Sequence, residues 1–161
     1  MDNLERLLAI EEIKGVKARY FRYMDTKQWD KLGELFSVNA YFDARCAFSA
    51  DLEDQSPAAQ MCKDWVTEGR NEIVAFMKRG CEGFLSAHYG HGHEITVIDQ
   101  QRASGVIALE DYMYLQGEEG LSQVLHGRGH YHEEYIKEGG KWRIHSSRIT
   151  RLFVEFQPPS V

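Results

Sequence analysis

The sequence predicts an α+β domain, with helices packed on one face of a strongly curved antiparallel sheet that encloses an apolar pocket. Three observations carry this. Residues 4–24 place apolar groups three and four apart, the period of a helix lying on a core. From residue 94 onward the chain becomes β-rich in four runs, Glu94–Asp99, Arg102–Leu115, Leu121–Lys137 and Lys141–Phe156. Glycine-bearing breaks at Gly117–Gly120 and Glu138–Gly140 separate the last three as hairpin turns. Helices followed by a meander of strands is the order of an α+β fold. A bent sheet against helices leaves a concave space suited to an apolar ligand.

Taken in order, the first helix carries Leu4, Leu7, Leu8, Ile10, Ile13, Val16, Tyr20, Phe21 and Met24, with Gly15 as a point where it could break in two. Asp25-Thr26-Lys27 interrupts it, and Asp25 is placed to cap a second helix holding Trp29, Leu32, Leu35 and Phe36. Ser37–Asp43 reads as a turn and a short strand, Ala40–Asp43. Phe48–Pro57 is a polar loop that could lie over a pocket. Trp65-Val66 suggests a short strand. Glu68–Arg70 is a turn into a helix over 71–79, with Asn71 as its cap and Ile73, Val74, Phe76 and Met77 as its buried stripe. Pro158-Pro159 ends the final strand.

At 161 residues the chain is read as one domain, 1–161, long enough for one sizeable core. Its 43% hydrophobic and 27% charged residues are those of a globular protein. The net charge of −6 and the scatter of the 19 basic residues argue against a nucleic-acid partner. No apolar run reaches membrane-spanning length, and the N-terminus has no signal-peptide core, so a cytoplasmic protein without a membrane partner is expected. The three cysteines, Cys46, Cys62 and Cys81, are odd in number and lack CxxC spacing, which reads as reduced, packed thiols.

Chemistry concentrates in residues 88–94, HYGHGHE, directly before the run 95–98. Histidine is the side chain best suited to proton transfer near neutral pH, and a carboxylate beside it would orient the ring. Tyr20 and Asp25, five apart at the end of the first helix, could supply that carboxylate and a phenol. Leu109-Glu110-Asp111 in one strand and Arg148, Thr150 and Arg151 in the last add charges that are costly on a concave face unless paired or used. Trp29, Tyr89, His91, Tyr112 and Arg148 are expected to contact the substrate. Metal is not expected. In a straight strand His91 and His93 share a face and His88 lies on the other, and no HExxH is present. Gly127-Arg128-Gly129 reads as a strand bend rather than a phosphate loop.

Together these residues resemble the SnoaL-like branch of the nuclear-transport-factor-2 superfamily. The likeness rests on residues 18–25 (ARYFRYMD) with Trp29, 86–95 (SAHYGHGHEI), 108–111 (ALED), and Trp142–Ile144 with Thr150–Phe153. Bile acid 7α-dehydratase-type members look most similar. His93 departs from the pattern, where the family often has proline. The resemblance implies a cone-shaped fold, no cofactor and a homodimer or homotrimer. It places catalytic roles on Tyr20, Asp25, His88, Asp111 and Arg151. The implied function is a dehydratase acting on a small hydrophobic ring-containing hydroxy-ketone or enone, with a His88–Asp25 dyad as base. Asp111 and Arg151 would form a buried positioning pair, or Arg151 would bind an anionic part of the substrate. A double-bond isomerase of the ketosteroid type and a non-catalytic small subunit of a ring-hydroxylating dioxygenase are the alternatives.

Overall fold

The computed structural model describes residues 1–51, 53–118 and 120–157. Helices α1 (Asn3–Asp25) and α2 (Trp29–Gly33) lead into strand β1 (Phe36–Asp43). Helix α3 (Pro57–Cys62), strand β2 (Val66–Glu68) and helix α4 (Arg70–Gly80) follow, and then four long strands: β3 (Leu85–Val97), β4 (Arg102–Gly117), β5 (Gly120–Glu138) and β6 (Lys141–Phe156). All six strands form one curved sheet in the order β2-β1-β6-β5-β4-β3. Every pairing is antiparallel except β1 against β6, which is parallel. That pairing joins segments about a hundred residues apart in sequence, so local pattern could not reveal it.

The expected α+β arrangement of N-terminal helices on a curved sheet is what forms. Helix α1 is continuous through Gly15. A capping box opens it: the Glu5 N–H donates to Asp2 Oδ1 (2.7 Å), and the Asp2 N–H donates to Glu5 Oε2 (2.8 Å). Its buried face is Ala9, Ile13, Val16, Lys17, Tyr20, Phe21 and Met24. Leu4, Leu7 and Leu8 stand 65%, 60% and 56% exposed, because at about 100° per residue they fall on the face of the helix opposite Ala9, Ile13, Val16 and Tyr20. The helix lies close on β3 because Gly90 has no side chain: a Cβ there would stand 2.5 Å from the Phe21 ring.

Several boundaries differ from the sequence reading, each for a physical reason. The histidine-rich stretch lies inside β3 rather than before it, because the strand starts nine residues earlier than expected, at Leu85. Gly92, at φ 53°, sits in the register shift between His91 and Glu94 and bends that edge strand without ending it. Asp25 does not cap α2. Gln28 precedes α2 without a side-chain cap, and the Asp25 carboxylate is engaged by β3 instead. Gly69, not Asn71, precedes α4. Helix α3, opened by Ser56 accepting from the Ala59 N–H, begins at Pro57, the last residue of the segment read as loop, and runs through a stretch for which the sequence suggested no element. Pro158 and Pro159 lie outside the described residues.

Cys46, Cys62 and Cys81 are free and buried. Among the described residues, no helix is long and apolar enough to cross a membrane.

Candidate active site

The end of α1 and the first half of β3 make the centre of the site. Helix α1 stops at Asp25, and Lys27, at φ 57°, turns the chain away. The Asp25 carboxylate then projects at the backbone of β3. It accepts from His88 Nδ1–H (2.6 Å) and Ser86 Oγ–H (2.9 Å) on one oxygen and from the His88 main-chain N–H (2.8 Å) on the other. Ser86 and His88 are two apart in a strand and therefore share a face, which is why one carboxylate reaches both. An ionised carboxylate only accepts. The proton of a neutral His88 thus sits on Nδ1, and Nε2 keeps its lone pair. Among the described residues no protein group hydrogen-bonds Nε2, and His88 lines the cavity.

That cavity has a volume of about 650 Å3, within the usual range for small-molecule sites. Aromatic groups from several elements build its wall: Phe42 of β1, Phe48 and Trp65 from the flanking segments, and Phe76 of α4, with ring centroids 5.2–5.9 Å apart. Met24, Met77, Met113 and Ile149 add aliphatic surface. The polar groups in the wall include His88, Tyr20, Tyr131 and Asp111.

Asp111 pairs with His88 across the β3–β4 ladder. Its carboxylate receives both terminal nitrogens of Arg151 (2.8 and 2.7 Å), and Arg151 Nε–H donates to the Ala47 carbonyl (2.8 Å). With its two terminal nitrogens and Nε so engaged and its side chain buried, Arg151 ties β4, β6 and the segment after β1 together. A substrate anion would have to break that pair, so of the two roles left open for Arg151 the geometry favours positioning. Gly127 makes the pair possible. It faces Asp111 across the ladder, and a Cβ there would lie 2.5 Å from Asp111 Oδ1 and 2.6 Å from Arg151 Nη1. Gly127→Ala is expected to cost about 1–3 kcal/mol by overpacking. A fall in chemical-denaturation midpoint at unchanged slope would measure it. An unchanged midpoint would mean that the pair has slack.

Tyr20 is fully buried one turn after Lys17 on α1, and burial is the first cause that holds its hydroxyl well above the ordinary phenol range. The charge that the neighbouring Tyr131 would carry is the next cause.

The structure thus places Tyr20, His88 and Asp111 in the wall of one cavity, with Asp25 hydrogen-bonded to His88 and Arg151 to Asp111. It does not bring the expected substrate contacts there. Tyr89 and His91 each lie an odd number of residues from His88, and Tyr112 is next to Asp111, so strand alternation turns all three to the outer face of the sheet. There Tyr112 stacks on His126 (ring centroids 4.3 Å apart) and donates to Glu110. Hydrogen bonds from His126, Tyr112 and Arg128 hold the Glu110 carboxyl down at about 2. Arg148, three residues from Arg151, likewise faces outward and lines a separate groove with His132 and Glu134. Trp29 sits at the start of α2, beside Lys27 and Lys78, outside the cavity. Among the described residues no group of three or more His, Cys, Asp or Glu side chains is arranged to hold a metal ion.

Sequence reasoning gave no part in the site to Ser86, Tyr131 or the Phe48–Trp65 wall, and read Gly127 only as part of a strand bend. Ser86 was detectable by its spacing of two from His88. The others depend on contacts between distant segments.

Comparison with known proteins adds the following. Residues 5–148 match the family model described as SnoaL-like domain. The probable cyclase FGR4 of Gibberella zeae is 27% identical over 148 residues, covering 88% of this chain and 89% of that protein. A crystal structure from Novosphingobium aromaticivorans, of a protein assigned as a scytalone dehydratase, superposes with a TM-score of 0.76 at 12% identity, covering 99% of this chain and 95% of the other. A type 2 hexachlorocyclohexane dehydrochlorinase (LinA) superposes with a TM-score of 0.72 at 15% identity, covering 99% and 100%. At these identities the two structures speak for the fold alone.

Proposed function

The chain belongs to the SnoaL-like domain family, and from that premise we propose that it is a cofactor-independent dehydratase acting on a hydrophobic cyclic hydroxy-ketone or enone. The observation that carries the reading is the Asp25–His88 contact. A carboxylate held by three donors fixes a neutral imidazole with its free Nε2 toward an apolar cavity, which is the arrangement a general base needs.

His88 Nε2 takes a proton from a carbon activated by the substrate carbonyl, and the C–H electron pair moves into an enolate. The charge that builds on the carbonyl oxygen is met by a phenol donor, Tyr20 in the first instance. When the carbonyl re-forms, the electrons make a new carbon–carbon double bond and break the C–O bond to the leaving hydroxyl. The His88 imidazolium returns its proton to that oxygen, which departs as water, and Asp25 stabilises the imidazolium in the interval. Asp111 and Arg151 hold the β4 and β6 walls in register around these groups. Aromatic and methionine surface suits a ring system. Steroid-like compounds, expected from the resemblance to bile acid 7α-dehydratases, fall in this class together with terpenoid and polyketide ketones.

A second reading is favoured by the relative named as a cyclase. The same first step yields a carbanion that can close a ring by attacking a second carbonyl, or regain its proton elsewhere as in an isomerase. Mass spectrometry of cyclic hydroxy-ketones incubated with the protein separates these. Loss of the mass of one water with formation of a conjugated double bond supports the dehydratase. A product of unchanged mass overturns it in favour of isomerisation or simple ring closure.

A further inference from the structure

One buried group has no part in the chemistry so far. Lys17 Nζ lies 2.6 Å from Glu133 Oε1, and both side chains are 0% exposed. Ser147 donates to the same Glu133 oxygen (2.9 Å) and Tyr135 to the other. The ammonium sits over the faces of two phenol rings, 3.3 Å from the Tyr131 centroid and 4.0 Å from that of Tyr20. The two rings meet edge-on, with centroids 5.9 Å apart.

A buried cation attracts the negative face of an aromatic ring. Here one cation holds two rings at once, and Glu133 supplies the opposite charge. Both phenols line the cavity that holds His88. Tyr131 is 1% exposed and comes from β5, a different element from Tyr20 and from His88. Tyr131 thus stands beside Tyr20 in the cavity wall, with Lys17 behind both rings.

We propose that Tyr131 is a catalytic residue of this site: its hydroxyl, on a ring held in place by Lys17 and packed edge-on against Tyr20, binds the carbonyl oxygen of the substrate as charge develops on it. This rests on the proton-abstraction reading above and deepens it, because it divides the work. His88 takes the proton from carbon, and the Tyr20–Tyr131 pair stabilises the oxygen. Burial and the nearby Asp111 charge keep Tyr131 protonated far above neutral pH, so it acts as a donor and does not compete with His88 as a base. It also narrows the ligand class. A neutral ketone or enone gains from two phenols packed edge-on, whereas a carboxylate at the same place would lie near the Asp111 charge.

Tyr131→Phe is the test, because it keeps the ring and its contact with Lys17. Removing one preorganised donor to a developing oxyanion lowers kcat about 10²-fold, with KM moved less than about threefold. A second readout needs no turnover. 2-Naphthol, whose hydroxyl mimics an enol, is expected to bind Tyr131→Phe about tenfold more weakly than the unmodified protein, a difference of about 1.4 kcal/mol. Naphthalene, which lacks the hydroxyl, should bind both equally. Equal 2-naphthol affinity in the two proteins overturns the assignment, even where Tyr131→Phe lowers the melting temperature. A His88→Ala variant run beside it separates the two ideas. If that variant turns over like the unmodified protein, the proton-abstraction reading falls and the catalytic role of Tyr131 with it. If only Tyr131→Phe fails to respond, His88 chemistry stands and the oxyanion assignment alone is lost.

Discussion

Asp25→Asn is expected to lower kcat by about 10³–10⁴-fold while leaving KM and folding close to those of the unmodified protein. The magnitude is that of a catalytic histidine placed in the wrong tautomer. Asp25 accepts three hydrogen bonds, two of them from His88 itself. Asparagine has the same shape but brings two N–H donors. The main-chain N–H of His88 cannot change role, so it keeps the amide oxygen, and the amide nitrogen then faces His88 Nδ1 and Ser86. Nδ1 must accept, and the ring proton moves to Nε2, the atom that has to be free. Base strength is lost without loss of shape, so the thermal transition should move little. Steady-state kinetics with circular dichroism melting measures both. A variant that keeps more than a tenth of the normal kcat would remove Asp25 from the mechanism.

The largest effect on stability is expected at Lys17. Taking away one partner of a fully buried ion pair leaves the other charged and unmatched, which costs about 3–5 kcal/mol. Lys17→Met does this to Glu133 and also removes the cation beneath two rings. For a domain of this size each kcal/mol moves the melting temperature by about 2–4 °C, so a fall of roughly 10 °C is expected. Burial lowers the Lys17 ammonium to about 8 in spite of the attraction of Glu133, so desolvation already weighs heavily on the pair. The double variant Lys17→Met with Glu133→Leu, which removes both charges, should regain most of the loss. Calorimetry of the two variants measures it. A double variant no more stable than the single would show that shape and the Tyr135 and Ser147 hydrogen bonds, rather than charge, hold this place together.

Much of the architecture was legible because its signals are local. Helical spacing carried α1 and α4, alternation and β-rich composition carried β4, β5 and β6, and glycines marked their hairpins. Where the reading went astray, a local signal had two meanings. Aspartate after a helix is a common cap for the next one, and nothing nearby in sequence reveals that Asp25 instead spans 63 residues to His88. Leu4, Leu7 and Leu8 are spaced three and four apart like a helical stripe, but at about 3.6 residues per turn they lie on the face opposite Ile13, Val16 and Tyr20. The same limit governs the site. Tyr20, Asp25, His88, Asp111 and Arg151 were singled out as a set; Tyr20, His88 and Asp111 line one cavity, and Asp25 and Arg151 are hydrogen-bonded to two of them. Tyr89, His91, Tyr112 and Arg148 are adjacent to members of that set or an odd number of residues from them, so period-two alternation turned them outward. Arg148 and Arg151 look equivalent in sequence, yet one lines an outer groove and the other is sealed against Asp111. Tyr131 and Lys17 carry no motif. Their roles appear only when α1 is laid across β5.

The central step is removal of a proton from carbon by His88. The direct measurement is deuterium uptake from heavy water into a panel of cyclic ketones and enones, read by mass spectrometry, with the unmodified protein and with His88→Ala. The account predicts uptake, or loss of water, in at least one compound with the unmodified protein and a fall of at least about 10²-fold with His88→Ala. Equal uptake with both proteins would contradict it.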